Sequence, residues 1–133
     1  MCKGKEALTN IIKKYYSNID EEELYENGNL LTPFGRFLFG YQLSKEDKEL
    51  LPIAKIKITP RHAVMESWKY ISKFVQKTYT DDVISGIWLD WEGLSILFVG
   101  GSCADAGYVL GEDGLRDKIL EDYHESLKEA RNG

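Results

Sequence analysis

Residues 83–99 read Val-Ile-Ser-Gly-Ile-Trp-Leu-Asp-Trp-Glu-Gly-Leu-Ser-Ile-Leu-Phe-Val. Two runs rich in β-branched and aromatic residues flank Glu92-Gly93, the pattern of an antiparallel hairpin. A two-residue loop there pairs Trp91 with Leu94, Leu89 with Ile96 and Ile87 with Phe98, so that all six share one face. A two-stranded ribbon is not stable alone, so the rest of the chain has to cover that face. The opposite face, Trp88, Asp90, Ser95, Leu97 and Val99, is mixed, which predicts cover on part of that side too.

The flanking segments supply the cover. Ala54, Ile56 and Ile58 alternate with Lys55 and Lys57, which predicts a strand over 53–58 with one dry and one wet face. Thr59-Pro60 then opens a helix over 60–79, with Val64, Trp68, Ile71, Val75 and Tyr79 on its apolar side. A second helix is expected over 113–131, with Leu115, Ile119, Tyr123 and Leu127 on one side. The segment 100–107 reads as a loop of small residues, with 107–110 as a last short strand.

The first fifty residues read as a helical layer. Leu8, Ile11, Ile12, Tyr15, Tyr16 and Ile19 recur at helical spacing. Asp20 is placed to cap a short helix that Asn27-Gly28 ends. Thr32-Pro33 looks like an N-cap and first-turn proline, followed by the stripe Phe34, Phe37, Leu38 and Tyr41. Phe37, Phe39, Tyr41 and Leu43 also alternate as a strand would. Ser44 with Asp47 resembles a capping box that opens a helix ending before Pro52. No repeat or linker divides the chain, so the expectation is a single α+β domain over 1–133 with a small antiparallel sheet backed by helices.

Charge narrows the partners. The net charge is −5, but residues 52–80 carry 6 basic groups against 1 acidic, and residues 81–133 carry 4 against 12. A chain that is acidic overall does not wrap nucleic acid as a whole, so nucleic acid is an expected partner only through the basic middle. No apolar run has membrane-spanning length and no leader is visible at Met1-Cys2-Lys3. With only Cys2 and Cys103, no disulfide framework forms, and a cytoplasmic location is expected.

Three chemistries compete. The first rests on the acidic last helix. Asp117, Glu121, Asp122 and Glu125 form a negative ridge suited to docking a basic protein, with Trp88 as an aromatic anchor, in the manner of immunity or inhibitor-type proteins of this size and charge. The bland alternative is solubility. The second places Cys103 in the glycine-rich 100–107 loop as a nucleophile, with His62 or His124 as base and Asp90 or Asp105 to orient it. Its alternative is a small buried hydrophobe. The third is a basic row, Arg61, Lys69, Lys73 and Lys77, for phosphates. Its alternatives are a solvated face and ion pairing to the last helix. The two histidines and two cysteines show no metal-ligand spacing, and no cofactor is expected. The basic-partner reading leads, and the chain reads as a binding protein rather than an enzyme.

Overall fold

The computed structural model describes residues 4–60, 68–89, 91, 93–100 and 102–132. The fold is α+β, a five-stranded mixed sheet with helices on both faces. The strands are β1 (Tyr25–Glu26), β2 (Leu30–Leu31), β3 (Ile53–Pro60), β4 (Val83–Leu89) and β5 (Gly93–Val99), in the spatial order β1-β2-β4-β5-β3. The described helices are α1 (Gly4–Lys13), α2 (Glu21–Leu24), α3 (Pro33–Phe37), α4 (Lys45–Glu49), α5 (Trp68–Thr78), α6 (Ser102–Leu110) and α7 (Glu112–Asn132). A π-helical turn, Leu38–Gln42, continues α3.

The hairpin forms, but its register differs from the one expected. Leu89 faces Leu94 and Ile87 faces Ile96, two residues away from the pairing that a loop at Glu92-Gly93 alone would set. Trp91 therefore leaves the ladder and stands 85% exposed. Gly93 joins β5 instead of the turn, with φ 145° and Pro60 as its cross-strand neighbour. A shift of two residues preserves the alternation, so Leu94, Ile96 and Phe98 are buried as the pattern requires. A bulge between Ile84 and Gly86 then resets β4 so that Ile84 also points into that core.

β3 pairs antiparallel with β5 along its whole length and forms one edge of the sheet. It extends through Thr59 and Pro60, which pair with Leu94 and Gly93, so both residues belong to the strand. A proline without an N–H is tolerated on an edge strand. The expected helix start, with Val64, falls outside the described residues, and α5 is seen from Trp68.

The dry face of the sheet meets α5, α6 and α7. Ala54, Ile56, Ile58, Ile84, Leu94, Ile96 and Phe98 pack against Ile71, Val75, Cys103, Leu115, Ile119 and Tyr123. The expected loop at 100–107 and strand at 107–110 are replaced by helix α6. Its small residues serve close packing. A Cβ on Gly107 would come within 3.0 Å of the Ala54 Cβ and 3.1 Å of Leu115 Cδ2.

On the other face, the N-terminal layer covers one end of the sheet. Leu8, Ile11, Ile12, Leu24, Leu31, Leu38 and Leu51 pack against Val83 and Val99, with Ile53 and Leu97 beside them. This is the partial cover that the mixed composition of that face called for. Helix α1 stops at Lys13, short of the apolar run's end at Ile19, and the chain turns through Tyr15 and Tyr16. Asp20 precedes α2 without a side-chain cap. Asn27 and Gly28, at φ 56° and 92°, do not end that helix but make the tight turn between β1 and β2, as Asn-Gly does in hairpins. The caps at Thr32 and Ser44 form as expected, with the hydroxyls accepting from the backbone N–H of Gly35 (2.9 Å) and Asp47 (3.1 Å).

Candidate functional site

Among the described residues, the exposed aromatics Tyr15, Tyr16, Phe34, Phe37 and Tyr41 all belong to the N-terminal layer. Helix α3 and its π-helical continuation have large apolar side chains all round, so only part of them can face the sheet. Gly35 is the contact point, and a Cβ there would meet the Leu24 carbonyl oxygen at 2.5 Å. Leu38 goes inward with it. Phe34, Phe37 and Tyr41, three and four residues apart, turn to solvent with 43%, 48% and 80% of their surface exposed. Phe37 and Tyr41 stack with ring centroids 5.4 Å apart. The helical spacing of this stripe is legible in the sequence, but its outward direction is not.

Beside the stripe lies an open hollow of about 400 Å³, walled by Tyr15, Tyr16 and Phe34 with Glu23 on its rim. Its two tyrosines are tethered at their hydroxyl ends. Tyr15 donates to Asp47, and Tyr16 donates to Gln42 Oε1 at 3.2 Å. The Tyr15 bond holds the Asp47 carboxyl below its ordinary range, and the same bond raises the Tyr15 phenol. Lys14 adds its ammonium 3.8 Å from Asp47. Glu21, Glu22 and Glu23, at the start of α2, are all exposed, and Glu21 also pairs with Lys5 at 3.5 Å.

The acidic ridge expected on the last helix exists but is partly answered by its own cations. Arg116 lies 3.6 Å from Asp113 and 3.1 Å from Asp117, and Lys128 lies 3.7 Å from Glu125. Asp122 accepts from the Tyr79 hydroxyl at 3.0 Å. Glu121 is exposed. These are surface pairs, worth about 0–1 kcal/mol each, so they lower the ridge's field without locking it.

Trp88 does not join that ridge. Its neighbours Ile87 and Leu89 pack toward the core shared with α7, and strand alternation sends Trp88 to the opposite face. There it lies under Lys55, whose ammonium is 5.4 Å from the ring centroid. The sheet separates the expected anchor from the expected acidic surface.

The basic row is exposed at Lys69, Lys73 and Lys77. Among the described residues none of the three pairs with the last helix, and Lys69 lies 6.0 Å above the Trp68 ring. Arg61 lies outside the described residues.

Cys103 is buried in the core, and burial pushes its thiol well above the ordinary range, with the Asp82 carboxylate adding to the effect. A nucleophilic thiol needs the opposite environment. His124 is exposed on α7, with its ring 5.9 Å from that of Tyr123. His62 and Asp90 lie outside the described residues, and Asp105 is half-buried on α6. Asp82, which the sequence did not single out, is the group at Cys103. Its carboxylate accepts from the backbone N–H groups of Cys103 and Ala104 at the start of α6. Among the described residues no group of three metal-ligating side chains converges, and no helix is long and apolar enough to cross a membrane.

Comparison with protein-family models, with curated proteins and with solved structures returned no match.

Proposed function

We propose that this protein is a binding protein that docks a basic partner protein, and that its docking face is the aromatic and acidic surface of the N-terminal layer. The observation that carries the reading is the outward direction of Phe34, Phe37 and Tyr41. Contiguous exposed aromatics are unusual on a protein that works alone, and Tyr and Phe are favoured at interface centres. Glu23 lines the hollow beside this surface, and Glu21 and Glu22 precede it in the first turn of α2, so these exposed carboxylates supply charge that steers a cationic partner. The ridge of α7 adds long-range negative potential from the other side of the sheet. Occlusion of a basic enzyme's working surface, as immunity and inhibitor proteins achieve it, is the form of docking this arrangement suits. We place it in the cytoplasm, where an unpaired buried thiol such as Cys103 stays reduced.

The test is affinity capture from the native host with the wild-type chain and two surface variants, Phe37→Ala/Tyr41→Ala and Glu22→Lys/Glu23→Lys. A basic protein is expected to be held by the wild type, released by raised salt, and held by neither variant. Capture of the same protein by all three, at every ionic strength, would remove the reading.

A further inference from the structure

The hollow next to the stripe has a chemistry of its own. Tyr15, Tyr16 and Phe34 give it three aromatic walls, and Glu23 gives it a carboxylate. An aromatic face carries negative quadrupolar charge, so walls of this kind attract a cation that approaches them, and a carboxylate at the rim strengthens the attraction. From these residues we infer that the hollow between Tyr15, Tyr16, Phe34 and Glu23 is a recognition site for an arginine side chain of the partner. The inference rests on the docking function above and names the group that the docked partner inserts.

Three features select arginine. The guanidinium is planar and weakly hydrated, so it stacks on rings at less cost than an ammonium. Its fork of N–H donors can meet both oxygens of the Glu23 carboxylate while its plane lies on a ring. The walls are also held in place before any ligand arrives. The Tyr15 hydroxyl is tied to Asp47 and the Tyr16 hydroxyl to Gln42, which restrains both rings while each side chain stays exposed. The 13–19 turn that presents both tyrosines is closed by backbone bonds from Lys14 to Ile11 (3.2 Å), Tyr16 to Ile12 (2.9 Å) and Ile19 to Tyr16 (3.2 Å). A preorganised site loses less entropy on binding. The backbone under Glu23 is fastened as well, because its carbonyl accepts from the Thr32 hydroxyl at 2.6 Å.

The experiment titrates N-acetyl-arginine methylamide into the isotopically labelled full chain and follows amide and aromatic resonances. Its uncharged citrulline counterpart and the lysine analogue serve as comparisons. Saturable shifts are expected at residues 15–19, 23 and 34 with arginine, weaker ones with lysine, and none with citrulline. Glu23→Gln and Phe34→Ala should each weaken the arginine response by at least about threefold, the size expected for a charge or cation–π contact at an exposed site. Tyr15→Phe breaks the tether while keeping the ring, so it should weaken binding less than Phe34→Ala does. A citrulline response equal to that of arginine, shifts centred elsewhere, or an unaltered response in Glu23→Gln would overturn the assignment. Loss of the arginine response while partner capture still depends on Phe37 and Tyr41 overturns the hollow and leaves the docking face standing. An arginine response alongside capture indifferent to Phe37 and Tyr41 supports the hollow and removes only the docking face.

Discussion

The carboxylate of Asp82 accepts a hydrogen bond from the backbone N–H of Cys103, so a residue from the loop before β4 caps helix α6 after β5. A second bond, from the Ala104 N–H at 3.4 Å, reaches the same oxygen. Asp82 is almost completely buried, and its other oxygen, Oδ2, is buried without a hydrogen-bond partner among the described residues. Helix N-termini favour a negative group, but burial dominates here and pushes the Asp82 carboxyl up to about 6, against the lowering effect of the two N–H donors.

That balance sets a pH dependence. In the unfolded chain the carboxyl ionises near its ordinary value, about 4. Between there and about 6 the folded protein keeps a proton that the unfolded chain has released. Asp82 therefore favours the folded state most at the acid end, and that contribution falls as pH rises toward 6 and is flat above it. Asp82→Asn keeps an acceptor for the Cys103 N–H and removes the charge. Denaturant melts of both proteins from pH 4.5 to 8 are expected to show Asn gaining on Asp as pH rises. Asp47, held below its ordinary range, slopes the other way in acid, and its contribution cancels in the comparison. Asp82→Ala loses both cap bonds as well as the charge, so it should lie about 1–2 kcal/mol below Asp82→Asn at every pH. Equal pH slopes for the wild type and the Asn variant would refute the account.

Cys103 should behave as an inert core thiol. In a Cys2→Ser background, which removes the other thiol, labelling by a disulfide reagent under native conditions is expected to be far slower than for a free cysteine. It should become fast in denaturant, because opening of the core then limits nothing. Native labelling at the free-thiol rate would return Cys103 to the list of reactive groups.

Two glycines on neighbouring turns should respond in opposite ways. Gly35→Ala places a methyl against the Leu24 carbonyl, 2.5 Å from the oxygen, and against Leu31 Cδ2 at 2.9 Å. Backbone cannot move aside cheaply, so a loss of about 1–3 kcal/mol is expected. Gly40→Ala meets nothing within 4 Å. It should be neutral or gain up to about 1 kcal/mol through the unfolded chain. Thermal or denaturant melts of the pair decide the matter, and equal effects would contradict the packing of α3 on α2.

The aromatic stripe should matter for binding and hardly at all for stability. Phe37→Ala and Tyr41→Ala remove exposed rings and are expected to change unfolding free energy by about 0.5 kcal/mol or less each. Phe98→Ala, near the end of β5 and fully buried, should cost about 3–5 kcal/mol. A large loss at Phe37 would mean that its ring packs within the fold and is not offered to a partner.

Much of the local structure is legible without coordinates because its causes are local. The hydroxyls of Thr32 and Ser44 cap helices by bonding an N–H three residues on, which any reader of the chain can locate. Alternation assigns Ala54, Ile56, Ile58, Leu94, Ile96 and Phe98 to one dry face, because strand geometry admits no other period. The candidate site was legible only as a pattern: the helical spacing of Phe34, Phe37 and Tyr41 shows that they share a side, and nothing in it shows which side.

Distance along the chain marks where this legibility ends. A two-residue slip leaves every side chain of the hairpin on its own face, so alternation by itself could not choose the register that pairs Leu89 with Leu94. Helix α6 carries no strong start signal of its own, and its cap comes from Asp82, twenty-one positions earlier. The outward turn of the aromatic stripe was decided by the fit of Gly35 against Leu24 and Leu31. Periodicity and caps act over three or four residues and belong to the sequence. Register, distant caps and the choice of buried face are set by contacts between segments far apart in the chain, and those exist only once the sheet and its two helical layers have come together.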